Sequence, residues 1–212
     1  MKKLTVAALA VTTLLSGSAF AHEAGEFFMR AGSATVRPTE GAGGTLGSLG
    51  GFSVTNNTQL GLTFTYMATD NIGVELLAAT PFRHKIGTRA TGDIATVHHL
   101  PPTLMAQWYF GYASSKFRPY VGAGINYTTF FDNGFNDHGK EAGLSDLSLK
   151  DSWGAAGQVG GDYLINRDWL VNMSVWYMDI DTTANYKLGG AQQHDSVRLD
   201  PWVFMFSAGY RF

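Results

Sequence analysis

The chain has no cysteine, which excludes a disulfide framework, a thiolate nucleophile and a thiolate metal site. Charge is scarce and balanced: 15 lysines and arginines stand against 17 aspartates and glutamates, and charged residues make up 15% of the 212 residues. A soluble domain averages roughly 25%, and a nucleic-acid binder carries a basic excess. The composition fits neither class, and it implies no nucleic-acid partner. No Pro/Ser-rich or charged linker divides the chain, which favours one domain. Beyond residue 21 there is also no apolar run of the roughly 20 residues that a spanning helix needs.

The first 21 residues, "MKKLTVAALAVTTLLSGSAFA", pair Lys2 and Lys3 with an apolar stretch from Leu4 to Leu15 and close on Ala19, Phe20 and Ala21. That is the pattern of a cleaved export signal, so residues 22–212 are expected to form the mature protein. An exported membrane protein without spanning helices must cross as a closed barrel, the remaining arrangement that satisfies every backbone group away from water.

What is abundant supports that inference. Glycine occurs 26 times and aromatics make up 13% of the chain. The tail "WVFMFSAGYRF" alternates: Trp202, Phe204, Phe206, Ala208, Tyr210 and Phe212 share one face, and Val203, Met205, Ser207, Gly209 and Arg211 share the other. Neither face is strongly polar. The same period-two pattern recurs in "GEFFMRAGSATVRP", "QLGLTFTYM", "NIGVELLAA", "TLMAQWYF", "PYVGAGINYTTFF", "SWGAAGQVGGDYLI" and "DWLVNMSVWYMDI", which makes eight strands with the tail. Short, turn-like connections lie at 69–71, 111–117 and 166–168, and long ones at 38–57, 83–97, 132–150 and 182–196. The expected fold is therefore all-β: an eight-stranded antiparallel transmembrane barrel with short periplasmic turns and long extracellular loops. Aromatics near the strand ends read as two interfacial girdles. Trp108, Phe110, Tyr163, Trp169, Tyr210 and Phe212 form the periplasmic one, and Tyr127, Trp153, Tyr177 and Trp202 the outer one.

The mature chain resembles the OmpW family of small outer-membrane barrels through "NIGVELLAATPF", "LPPTLMAQWYFGYASSKFRPYVGAGINYTTFF" and the terminal "GYRF". The resemblance implies a barrel in the Gram-negative outer membrane, passage of small hydrophobic molecules, and surface loops able to act as a colicin receptor. A terminal Phe212 behind alternating aromatics also looks like the signal read by the barrel assembly machinery.

Candidate chemistry is sparse. His84, His98 and His99 could gather at the long-loop rim, but His98 and His99 are adjacent in a strand and point to opposite faces, so a shared metal ion is disfavoured. No G-x-S-x-G elbow is present, and "GAGGTLGSLGG" lacks the Lys-Ser/Thr of a phosphate cradle. No enzyme and no cofactor are expected, with a lipid-modifying enzyme as the weaker alternative. By strand parity Arg30, Glu75, Gln107, Asp162, Asn172 and Arg211 face inward near the periplasmic turns, where burial demands that they pair; they are expected to plug that end. Above them Leu77, Met67, Met105, Trp176, Met178 and Met205 make the inner face apolar, with Leu77 and Trp176 as its constriction. The expected partners are outer-membrane lipids and small hydrophobic solutes. A purely structural or receptor barrel is the alternative. Pro81, Pro101 and Pro102 remove ladder donors on neighbouring strands, which marks a candidate side exit.

Overall fold

The computed structural model describes residues 22–48, 52–89 and 91–212; the expected export segment, 1–21, lies outside them. In chain order the elements are β1 (Phe27–Arg37), β2 (Gly41–Ala42), α1 (Gly44–Ser48), β3 (Ser53–Val54), β4 (Asn57–Met67), β5 (Ile72–Ala79), β6 (Phe82–Thr88), β7 (Gly92–Leu100), β8 (Thr103–Tyr109), β9 (Phe117–Phe135), α2 (Asp137–Glu141), β10 (Leu144–Leu149), β11 (Ser152–Leu164), β12 (Trp169–Met178), β13 (Asp181–Leu188), β14 (Ala191–Arg198) and β15 (Trp202–Arg211).

Eight of these strands form the wall. They run β11–β12–β15–β1–β4–β5–β8–β9, each antiparallel to its neighbours, and the β9–β11 pairing closes the ring. Closure leaves no strand edge in the wall, which is why such a sheet can stand in hydrocarbon. The seam between the two ends of the chain is long: β1 and β15 stay in register from Phe28↔Arg211 to Arg37↔Trp202.

The period-two alternation becomes the two surfaces of the barrel. In β15 exposed and buried residues alternate from Trp202 to Gly209, and β5 repeats the pattern over Ile72–Leu77. The exposed set is greasy, including Leu60, Val74, Leu104, Ile125, Val159, Met173 and Phe206. An apolar surface of this extent is what a lipid-facing wall requires. Both girdles are present. At the turn end Phe27 and Phe212 lie 5.7 Å apart, Tyr210 and Phe212 5.1 Å, and Trp169 and Tyr210 5.1 Å between ring centroids. At the other end Tyr127 meets Trp153 at 4.7 Å and Tyr177 meets Trp202 at 5.2 Å.

The structure corrects the expected long loops, which are largely regular. The stretch 83–97 lies in the hairpin β6–β7, whose strand β7 pairs with the upper half of β9, while β3 adds to β6. The stretch 182–196 is the hairpin β13–β14, turned at Gly189 and Gly190 with φ of 57° and 86°. Together with β10 and β2 it makes a second, four-stranded sheet. The alternation persists in these segments, but with polar residues on the outward side, as in the β14 sequence "AQQHDSVR", so they lack the doubly apolar signature of the wall.

At the prolines the β5–β8 ladder ends at Leu77↔Thr103 and pairing resumes only at Phe82↔His99. Ala78–Pro81 and Leu100–Pro102 therefore form an interruption between the third and fourth wall strands.

Candidate functional site

The interior divides into three levels. Nearest the short turns is a small apolar cluster of Phe28, Met67, Tyr109, Tyr120, Leu164 and Leu170. Met67 is thus misplaced by the sequence-based assignment to the upper apolar face. β4 runs toward the turn, so Met67, paired with Gly73, lies beneath Thr65 and Glu75, which pair one step higher.

The middle level is a charged layer centred on Arg30. Its Nε and Nη2 donate to Asp162 at 3.0 and 2.5 Å, Nη1 donates to Glu75 and, at 3.1 Å, to Thr65, and Nη2 donates to the Tyr109 hydroxyl at 2.8 Å. The carboxylates' other lone pairs are covered as well. Gln107 and Gln158 donate to Glu75 at 2.8 and 3.0 Å, and Asn172 donates to Asp162 at 2.7 Å. Arg30, Glu75 and Asp162 are almost wholly removed from solvent. A fork-shaped guanidinium matched to two carboxylates, with amides on the other lone pairs, satisfies charges that would otherwise be prohibitive to bury.

Of the residues expected to form this plug, Arg30, Glu75, Gln107, Asp162 and Asn172 come together and Arg211 does not. Gly209 is the residue opposite Arg30 in β15, so Arg211 lies one inward step lower. There it pairs with Glu26 and donates to the Arg167 carbonyl at 3.0 Å. Sequence reasoning missed His22, which reaches Asp162 at 2.8 Å, together with Tyr109, Tyr120, Gln158, Thr63 and Thr65. It also missed Arg118, which is fully buried and donates to the carbonyls of Phe110 and Asp70, both at 2.8 Å. Strand parity would have placed all except His22 inside. His22 precedes β1 and has no periodic signal.

The upper level is one apolar cluster that includes Leu77, Met105, Trp176, Met178 and Met205, as expected, with Ala34, Val36 and Val203. Its polar contacts are few: the Trp176 indole donates to Ser174 at 3.1 Å. The interior is packed here. A cavity within the cluster, lined by Val36, His84, Val97, His99, Phe130, Ile180 and Leu199 among others, holds about 20 Å³.

The three histidines divide as strand parity requires. His98 faces outward against Phe131 and reaches the Asp132 carbonyl at 3.3 Å. His99 faces inward, where its Nε2 lies 2.9 Å from Nε2 of His84.

A sequence profile described as the OmpW family matches residues 23–212. The chain is 99% identical to "Outer membrane protein W" of Escherichia coli (strain K12) across the full length of both. The crystal structure of the outer membrane protein OprG from Pseudomonas aeruginosa superposes with a TM-score of 0.82 at 44% identity, covering 91% of this chain and 98% of that one. A more distant relative, the "Dibenzothiophene metabolism operon protein PahQ" of Pseudomonas aeruginosa, is 26% identical over 77% of this chain and 75% of its own length.

Proposed function

The chain belongs to the OmpW family and lies in the Gram-negative outer membrane, and from that premise we propose that its barrel passes small hydrophobic molecules inward from the cell surface. The observation that carries this reading is the continuous apolar cluster above the charged layer. A water-filled pore of this width would present polar side chains to its lumen, whereas burying each methylene of a solute against this lining is worth about 0.8 kcal/mol. Methionines at 105, 178 and 205 suit such a path because the thioether chain readily repacks around different shapes. A relative whose name places it in an operon for dibenzothiophene metabolism is consistent with an apolar cargo.

In this reading Leu77 and Trp176 form the constriction, and the Arg30–Glu75–Asp162 layer stops both solute and ions below it. The interrupted ladder at Ala78–Pro81 and Leu100–Pro102 lets the solute leave sideways into the lipid. No catalytic step is involved. The assembly machinery reads Phe212 during insertion, and the outer hairpins can serve as a docking surface for a colicin. The alternative of a receptor barrel without transport has one observation in its favour, the close packing of the upper interior around a cavity of about 20 Å³.

The deciding experiment is uptake of a small apolar compound by cells carrying the wild type, Leu77→Asp or Trp176→Asp at equal surface levels. Transport is expected to fall in both variants. Unchanged uptake, or wide hydrophilic conductance by the purified wild type, would transfer support to the receptor reading.

A further inference from the structure

His84 on β6 and His99 on β7 both turn inward and are each about 3% exposed. Their ring planes are inclined by 22° with centroids 4.9 Å apart, edge to edge, and Phe82 stacks on His99 at 5.5 Å. The hydrogen bonds fix where the protons sit. Nδ1 of His84 lies 2.5 Å from the Thr55 carbonyl oxygen, which can only accept, so Nδ1 carries the hydrogen. A neutral imidazole has one N–H, which leaves Nε2 of His84 bare. That nitrogen accepts from Nε2–H of His99 across 2.9 Å. Nδ1 of His99 is then a bare acceptor, and it is buried with no partner among the described residues. Burial holds both rings neutral: it lowers His84, and it brings His99, with His84 and His98 nearby, down to about 3.

Buried polar atoms without partners are rare and call for a reason. This one belongs to a ring that lines a small cavity within the apolar interior, where the two imidazoles are the only polar side chains in the lining. About 20 Å³ accommodates a single oxygen-sized group. The lining offers no carboxylate for a cation, and both imidazole N–H groups are already spent, so neither an anion nor a ketone finds a donor. What matches is a group that donates one hydrogen bond.

We propose that His99, positioned by His84, recognises the hydroxyl group of an otherwise apolar solute, such as a phenol or a long-chain alcohol, within the apolar interior above the charged layer. This inference rests on the proposed passage of small hydrophobic molecules and names a class within them. Burial favours the apolar body without discrimination, whereas a bare acceptor distinguishes an O–H from the same body carrying an ether.

The test is binding of 2-naphthol and of 2-methoxynaphthalene to the purified, folded barrel and to His99→Phe, which keeps an aromatic ring between Phe82 and Phe130. The preference for 2-naphthol over its methyl ether is expected to be about five- to tenfold greater in the wild type than in the variant, with the ether's affinity unchanged. Nitrogen-15 NMR of the wild type supplies a readout that needs no variant: 2-naphthol should shift the bare-nitrogen resonance of His99 and the ether should not. If the two probes bind the wild type and the variant in the same ratio, and the resonance stays in place, the inference is overturned while passage of apolar solutes stands. If neither probe binds the wild type, both readings fall together.

Discussion

Replacing Arg30 by methionine probes the charged layer at its centre. Its guanidinium contacts Asp162 through two nitrogens and Glu75 through a third, and it lies over the rings of Phe28 and Tyr120 at 4.7 and 5.4 Å. Methionine keeps much of the apolar stem but leaves two carboxylates side by side without their cation. Removing one partner of a buried ion pair costs about 3–5 kcal/mol, a large fraction of the roughly 5–15 kcal/mol that holds a domain folded. Urea unfolding of the purified barrel in lipid vesicles, followed by tryptophan fluorescence, should show a loss of that size for Arg30→Met. The triple variant Arg30→Met, Glu75→Gln, Asp162→Asn has no stranded charge and should recover most of it. An Arg30→Met barrel within about 1 kcal/mol of the wild type would refute the argument, as would a triple variant no more stable than the single one; either result would mean that water or rearrangement already neutralises the layer.

Three further outcomes are expected. Deleting Phe212, which bonds to the Phe27 carbonyl at 3.0 Å and packs on Phe27 and Tyr210, should lower the amount of folded barrel in outer membranes far more than deleting Gly43; equal amounts would count against its double role. A Cβ on Gly124 would come within 1.9 Å of the Leu104 carbonyl oxygen, whereas one on Gly157 meets nothing within 4 Å. Gly124→Val should therefore lose the heat-modifiable folded band on gels and Gly157→Val should keep it. The third concerns acid. His99 is held down to about 3, by burial first and then by His84 and His98, while the unfolded chain takes up that proton near pH 6.5. Stability that is fully present above pH 6.5 is thus lost as pH falls toward 3, at up to about 1.4 kcal/mol per unit for such a group. Unfolding midpoints should drop between pH 7 and 5 in the wild type and drop less in His99→Phe, and an identical drop in both would show that other groups titrate.

The wall was legible because its physics is periodic. A lipid-facing strand must be apolar outward whatever its interior holds, so the face carrying Trp202, Phe204 and Phe206 declares itself in the sequence, and the opposite face follows by parity. The charged layer was legible for the same reason at Arg30, Glu75, Gln107, Asp162 and Asn172. Height along the barrel was harder to read. Parity says which way Met67 and Arg211 point, but their level depends on strand register, which the pairing of Met67 with Gly73 and of Arg30 with Gly209 settles. The outer hairpins escaped detection because β13 and β14 lie beyond the lipid, where alternation with polar residues resembles ordinary loop composition. The His84–His99 pair needed the β6–β7 register, in which Phe82 is opposite His99 and His84 is opposite Val97.

The strand β9 runs unbroken for 19 residues. At about 3.3 Å per residue and a tilt near 40° it rises about 48 Å, roughly twice the apolar height of about 25 Å that an outer-membrane barrel presents to lipid. Its upper half acts as a mast, and the β6–β7 hairpin is rigged to it, extending outward from the interrupted ladder. Under the proposed passage of apolar solutes, this outer half would let such a compound shed its hydration shell against protein before it reaches the lipid. Encounter with the barrel would then limit crossing, and permeability would scale with the number of barrels in the membrane.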